Sequence, residues 1–144
     1  MNPLGMSPSL EFMPHTADVR LKASGETLPQ LFKTCLEGMN KLLKPGFCHD
    51  NRVLDVYDKI DISAMDSTVL LIDFLSEVLT LSNVNKAVYC ECDIEKMSDH
   101  ELKGLLKGKN VEGFDNDIKA VTYHEADVQL NEHGDFETII VFDI

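Results

Sequence analysis

Between Asp66 and Leu81 the chain reads DSTVLLIDFLSEVLTL, in which Val69, Leu70, Leu71, Ile72, Phe74, Leu75, Val78, Leu79 and Leu81 leave only Asp73, Ser76 and Glu77 as a narrow polar stripe. Asp66 and Ser67 are start signals, because their side-chain oxygens accept from the unpaired N–H groups of a first helical turn. A helix apolar around most of its circumference cannot sit on a surface with one face in water; it must be covered on more than one side. The excess belongs to the core of this chain or, alternatively, faces another protein.

The rest of the sequence offers the covering elements. Thr27, with Gln30 three residues on, reads as a capping box opening a helix. Leu28, Leu31, Phe32, Cys35, Leu36, Met39, Leu42 and Leu43 then recur at the spacing of one buried helical face, and Lys44-Pro45-Gly46 stops it. Pro29 is tolerated in the first turn, whose N–H groups have no helical partner. Alternating apolar and polar residues predict strands at Leu10 to Met13, Val19 to Ala23, Val53 to Ile62, Ala87 to Met97, Glu101 to Lys109 and Lys119 to Val128, with loop from Phe47 to Asn51. Glu137 to Phe142 is apolar on both faces, which predicts a central strand. Ser98-Asp99-His100 and Asn131 to Asp135 are hairpin turns. The predicted fold is α+β: a single domain with a mixed, mostly antiparallel β-sheet and two α-helices packed on one face.

Several functions are made improbable by composition. The 144 residues carry a formal net charge of −12, so no direct nucleic-acid binding is expected, since phosphate backbones are held by basic residues. No uninterrupted apolar run approaches the ~20 residues of a membrane-spanning helix, and Met1 to Ser9 read as a flexible tail without a signal peptide. Cys35, Cys48, Cys90 and Cys92 make no zinc pattern. Cys90 and Cys92 alternate with Val88 and Ile94 as core residues, and a reducing, intracellular compartment is expected, cytoplasmic and/or nuclear. Lys103, Lys107 and Lys109 read as a charged edge strand that resists aggregation.

Two places draw attention as chemistry. Pro14-His15-Thr16-Ala17-Asp18-Val19 sets an imidazole and a carboxylate three residues apart at the mouth of a strand, although an Asx-type turn would explain the same residues. Asp143 and the terminal Ile144 follow the predicted central strand, where negative groups need a cation or several donors. Alternation turns His124 toward the core, with Lys119, Tyr123 and Glu125 on the other face.

Three segments together, PHTADV at Pro14 to Val19, KAVTYHE at Lys119 to Glu125 and VFDI at Val141 to Ile144, resemble the archease family from Leu10 to Ile144. The resemblance implies an archease-like domain over 10–144, preceded by the tail at 1–9. It implies a non-catalytic activator of the tRNA-splicing RNA ligase, one that promotes its GTP-dependent guanylylation and its multiple turnover. GTP and RNA would be met only through the ligase. Family metal positions fall on Asp18, Asp143 and Ile144 through its main-chain oxygens; an all-oxygen, anionic set suits a divalent ion such as Ca²⁺ or Mg²⁺. His15 and His124 would orient the carboxylates, and Lys119 would meet a phosphate or an acidic group. Alternatives are a chaperone-like interaction module binding through the apolar helix, and a stand-alone metal-dependent phosphoester hydrolase built on His15, Asp18 and His124.

Overall fold

A computed structural model describes residues 9–10, 18–51 and 53–144 of the chain. The expectations for the tail at 1–8, for a strand at 11–13 and for His15 lie outside the described residues.

Strand β1 (Asp18–Gly25) leads into helix α1 (Leu28–Leu43). Thr27 is the N-cap, its hydroxyl accepting from the Gln30 N–H at 3.2 Å, while Gln30 Oε1 accepts from the N–H of Glu26 at 2.6 Å. The capping box therefore closes one residue ahead of its usual place. Leu28, Leu31, Phe32, Cys35, Leu36, Met39 and Leu43 are buried on the expected face. The helix stops at Lys44, and Gly46 supplies the left-handed backbone (φ 78°) that turns the chain. Residues expected as loop then form the short helix α2 (Phe47–Asp50), which buries none of its residues and so leaves no apolar period in the sequence.

After β2 (Val56–Ser63), helix α3 (Ser67–Asn85) opens on Asp66, whose Oδ1 accepts from the Val69 N–H at 2.9 Å. It runs four residues beyond Leu81, and Lys86 ends it with φ 50°. Its 19 residues and mean hydropathy of 1.4 match a membrane span in length and composition. Here that apolarity goes into the core: Leu70, Leu71, Ile72, Phe74, Leu75 and Val78 are all buried, and the Phe74 ring meets Phe32 of α1 at 5.5 Å. Each such side chain contributes about 1.5–3 kcal/mol over leaving it exposed.

The remaining strands are β3 (Ala87–Met97), β4 (Glu101–Asn110), β5 (Ala120–Thr122), β6 (Gln129–Leu130) and β7 (Phe136–Asp143). Among the described residues every pairing is antiparallel, and the strands divide between two sheets. One has the order β1-β7-β5 with β6 also on β7; the other is β2-β4-β3. Helix α1 packs on β1, β3 and β7, and α3 on β2, β3, β4 and β5, so each helix touches both sheets. The circumferential apolarity of α3 follows from that position.

Three further expectations are corrected. β4 is the middle strand of its sheet, so Lys103 and Lys107 stand on a central strand rather than an edge. Lys107 Nζ lies 2.6 Å from Asp93 Oδ2 on β3, a contact that raises the lysine pKa. The strand expected over Lys119 to Val128 is only three residues long before the chain turns. Thr122, Thr138 and Thr68 capture the backbone instead: their hydroxyls accept from the N–H groups of His124, Asp127 and Val128 at 3.3, 3.0 and 3.0 Å.

The third concerns the cysteines. The β3–β4 register shifts between Tyr89 and Glu91, leaving Cys90 as the extra residue of a bulge. The strict alternation that would bury Cys90 fails there. Cys90 is half-buried and bonded to Cys48 of α2, which overturns the expectation of Cys90 as a core residue, while Cys35 and Cys92 are free and buried.

Candidate functional site

The pairing of β1 with β7 sets Asp18 directly opposite Asp143. Directly paired residues project to the same face of an antiparallel sheet, with Cβ atoms roughly 4.5–5.5 Å apart. The other face of these strands is fixed by the core: Val19, Leu21 and Ala23 pair with Phe142, Ile140 and Thr138 and turn toward the helices. Asp18, Arg20 and Lys22 consequently share the outer face with Asp143, Val141 and Ile139. Asp18 is exposed and Asp143 half-buried. Among the described residues neither carboxylate has an ion-pair partner.

β5 completes the row, with Ala120 paired to the other side of Asp143. The N–H of Lys119 donates to the Asp143 carbonyl at 2.7 Å, which fixes the exposed Lys119 at the same end of the sheet as the two carboxylates. Ile144 follows, half-buried, its side chain packed against the core, so its main-chain oxygens are held at the strand end.

His124 is placed differently. Register carries β5 away from Asp143, from Ala120 to Thr122 opposite Val141, and His124 comes after that far end. It is exposed in a turn, not directed at the core. The turn itself is firmly held. Glu125 adopts φ 63°, uncommon for a residue with a side chain, and its carboxylate pairs with Arg20 at 2.5 Å. Tyr123 donates to Asp73 Oδ1 of α3 at 2.6 Å, a bond that raises the phenol pKa. The Thr122 hydroxyl donates to the Val141 carbonyl at 2.9 Å.

The geometry thus joins Asp18, Asp143, Ile144 and Lys119 and leaves His124 outside; His15 lies outside the described residues. Among the described residues no group of three or more His, Cys, Asp or Glu side chains gathers around a point. The donors available are two carboxylates and main-chain oxygen, without nitrogen or sulfur, a set that fits a hard cation and suits zinc poorly. The Arg20–Glu125 tether was not singled out from the sequence. Its one local signal is that Arg20, two residues after Asp18, must share its face; the partner is visible only once β1, β7 and β5 lie side by side.

Residues 10–144 match the archease protein family (MTH1598/TM1083). The chain is 28% identical to protein archease of Methanosarcina acetivorans over 143 residues, covering 93% of this chain and 94% of that one. It is 27% identical to protein archease of Pyrococcus furiosus over 143 residues, covering 93% and 97%. Among solved structures, protein 1598 of Methanobacterium thermoautotrophicum superposes with a TM-score of 0.71 at 22% identity, over 93% of this chain and 97% of that one. An archease from Thermotoga maritima, described as a possible chaperone, superposes with a TM-score of 0.61 at 19% identity, over 96% and 100%. The resemblance carried by the three segments and this match over nearly the whole length agree: the chain belongs to the archease family.

Proposed function

We propose that this protein is an accessory factor of the tRNA-splicing RNA ligase, promoting GTP-dependent guanylylation of the ligase and its multiple turnover. The observation that carries the reading is the register Asp18↔Asp143, which brings two carboxylates from the first and last described strands to one point on the surface. Like charges directly opposite destabilise a sheet unless a cation lies between them, so the arrangement is a cost with a use.

Asp18, Asp143 and the main-chain oxygens of Ile144 would hold the divalent ion, Ca²⁺ or Mg²⁺. Bound there, it would supply positive charge for phosphate groups brought close by the ligase. Everything else falls to the chain's own residues. The excess of acidic groups favours encounter with a basic protein surface. Lys119, fixed beside Asp143 through its backbone, presents a cation to a nucleotide phosphate or to an acidic group of the ligase. The Arg20–Glu125 pair holds the 123–126 turn against β1 and so fixes the far border of the same face.

The test is multiple-turnover RNA ligation by the cognate ligase at substoichiometric enzyme, with GTP and Mg²⁺. Wild-type protein should stimulate turnover and Asp143→Ala should not. Failure of the wild type to stimulate, or full stimulation by Asp143→Ala and Asp18→Ala at limiting metal, overturns the reading.

A second reading, a chaperone-like interaction module, is favoured by the description of the Thermotoga maritima relative. It predicts capture of the ligase by Asp18→Ala and Asp143→Ala alike. Its sequence rationale, an apolar helix free to bind, is weakened because α3 spends its apolar residues between the two sheets. The hydrolase reading gains no support from a His124 that lies beyond the far end of β5.

A further inference from the structure

The Cys48–Cys90 bond is the least explained feature of the fold. It joins residues 42 apart in sequence and lies away from the candidate metal face, tying α2 to the bulge of β3. Both residues are half-buried, and Cys48, His49 and Cys90 form the wall shared by two open cavities of about 390 and 500 Å³. A small molecule can therefore approach the sulfurs from either side. The first cavity also reaches Asn40, Lys41 and Lys44 of the α1 end.

Among the described residues the disulfide is the one strong tie between α2 and β3. The helix has four residues, none buried, and its N-cap is Gly46, which offers no side-chain bond. Its hydrogen bonds among the described residues, such as Phe47 N–H to Lys44 O at 3.1 Å, Asp50 N–H to Gly46 O and Asn51 N–H to Phe47 O at 3.0 Å, and Asn51 Nδ2 to Phe47 O at 2.8 Å, are all local, and one helical turn does not support itself. The ground beneath is imperfectly satisfied as well. Asn40 is 4% exposed; its Nδ2 donates at 2.8 Å to the carbonyl of Tyr89, the neighbour of Cys90, but its buried Oδ1 has no partner among the described residues. Admission of water there would satisfy that acceptor.

We propose that Cys48–Cys90 is a reversible redox clasp: thiol–disulfide exchange with a small-molecule thiol opens it and frees residues 45–51 from β3. In the first step the thiolate attacks one cysteine sulfur, the S–S bond breaks, and the electron pair leaves on the other cysteine. Lys41, Lys44 and His49 line the same cavity as the two sulfurs, together with Glu37. Lys44 is already paired with Asp115 at 3.0 Å and His49 with Asp50 at 3.3 Å, which leaves Lys41, without an ion-pair partner among the described residues, as the cation free to favour a thiolate there. A second thiol then attacks the mixed disulfide. The products are the Cys48 and Cys90 thiols, which take up the two thiol protons, and the oxidised disulfide of the small thiol, which supplied both electrons. Exchange is confined to this pair, because burial pushes the Cys35 thiol up to about 12 and the Cys92 thiol up to about 11, leaving neither as a thiolate near neutral pH.

The experiment uses the full oxidised chain under native conditions, incubated with reduced glutathione as the probe and then alkylated. Mass spectrometry should find two more modified cysteines than in untreated protein. Hydrogen exchange should accelerate by about tenfold or more at the Asp50 and Asn51 amides, with the β4 amides unchanged. Cys48→Ser should show the fast exchange without thiol and no further response to it. Labelling that requires denaturant, exchange at 50 and 51 that ignores reduction, or slow exchange in Cys48→Ser each overturns the proposal.

Discussion

The two sheets are assembled in opposite ways. In β2-β4-β3 the longest strands pair as neighbours in sequence, β3 folding onto β4 through the Ser98 to His100 turn, and β2 joining the other side. In β1-β7-β5 the central strand is the last described one, and it collects β1 from the other end of the described chain together with fragments of three and two residues. The local sheet pairs charges between β3 and β4, Lys107 with Asp93 and Lys96 with Glu101. The non-local sheet ties Arg20 to Glu125 but also carries two carboxylates, Asp18 and Asp143, that have no ion-pair partner among the described residues and are brought together by long-range register. Where pairing is local, the sequence can neutralise its own charges; where pairing is distant, it can assemble a site that no segment contains.

The sharpest way to break this comparison is to ask whether the non-local sheet is an independent layer. Phe142 is fully buried on the inner face of β7, paired with Val19 and Val121. Phe142→Ala should cost about 3–5 kcal/mol in urea unfolding, through lost transfer energy and the cavity left behind. Because α1 and α3 each touch both sheets, the loss should appear as one cooperative transition with a lowered midpoint. Two separated transitions would mean that the β1-β7-β5 sheet melts alone.

Next in size is the covalent tie on the local side. Cys90→Ser removes a cross-link over 42 residues and should lower stability by about 2–4 kcal/mol in the same assay, with the fold retained. An unchanged midpoint would show that the α2 segment is already loose in the oxidised protein.

These two regions also divide what could be read beforehand. Helices α1 and α3 were legible from caps and period, since Thr27 and Asp66 act locally, whereas the short α2 was expected as loop. The central place of β7 was legible because a strand apolar on both faces has few other homes, whereas Asp18 beside Asp143 came from the resemblance to the archease family rather than from the strand pattern. Cys90 was not legible: alternation assumes an unbroken ladder, and a single bulge residue turns a predicted core thiol into a disulfide partner. Nor was the turn at His124, where Thr122 of β5 itself, Thr138 of β7 and Thr68 of α3 outbid the β ladder for the backbone N–H groups. Two of these three partners stand on other elements, and Thr68 is 60 residues away from Val128. The division into two sheets was hidden for the same reason, since nothing local to β2 says that β7 is not its neighbour.

A third measurement probes the join between α3 and the local sheet. Tyr89 is fully buried, its hydroxyl donating to Asp58 and accepting from Asn85 Nδ2 at 2.8 Å. Burial first, and the Asp58 bond second, push its phenol up to about 12 from an ordinary 10.0. A folded-state pKa above the unfolded one means that the folded state holds the proton longer. The corresponding stability is fully present below pH 10 and lost as the pH rises toward 12. Tyr89→Phe should cost about 1.5–3 kcal/mol at neutral pH, by removing a hydrogen bond to the half-buried Asp58 carboxylate, which keeps Asn85 Nδ2 at 3.2 Å, and should flatten the fall in stability above pH 10. An alkaline slope identical to wild type would remove Tyr89 from the account.

The smallest effect is the most informative about the non-local sheet, and its sign is opposite to the others. Asp18 and Asp143 face each other as like charges, a juxtaposition that costs roughly 0.2–1 kcal/mol in a sheet. In metal-free buffer, Asp143→Asn should therefore raise the unfolding midpoint slightly while leaving the fold intact. Adding Ca²⁺ or Mg²⁺ should reverse the order, because only the wild type keeps both carboxylates for the ion, and a ligand that binds the folded state stabilises it in proportion to the logarithm of its concentration over Kd. The same comparison on the local sheet, Asp93→Asn, diagonal to Lys107 and 2.6 Å from its ammonium, should show no such reversal, since that carboxylate already has its cation in the chain. A crossing of the two midpoints with metal at 143 but not at 93 is the signature of a site left open by design of the register. Midpoints that move in parallel at both positions would mean that the acidic pair is only surface charge, and the ligase reading would lose the observation that carries it.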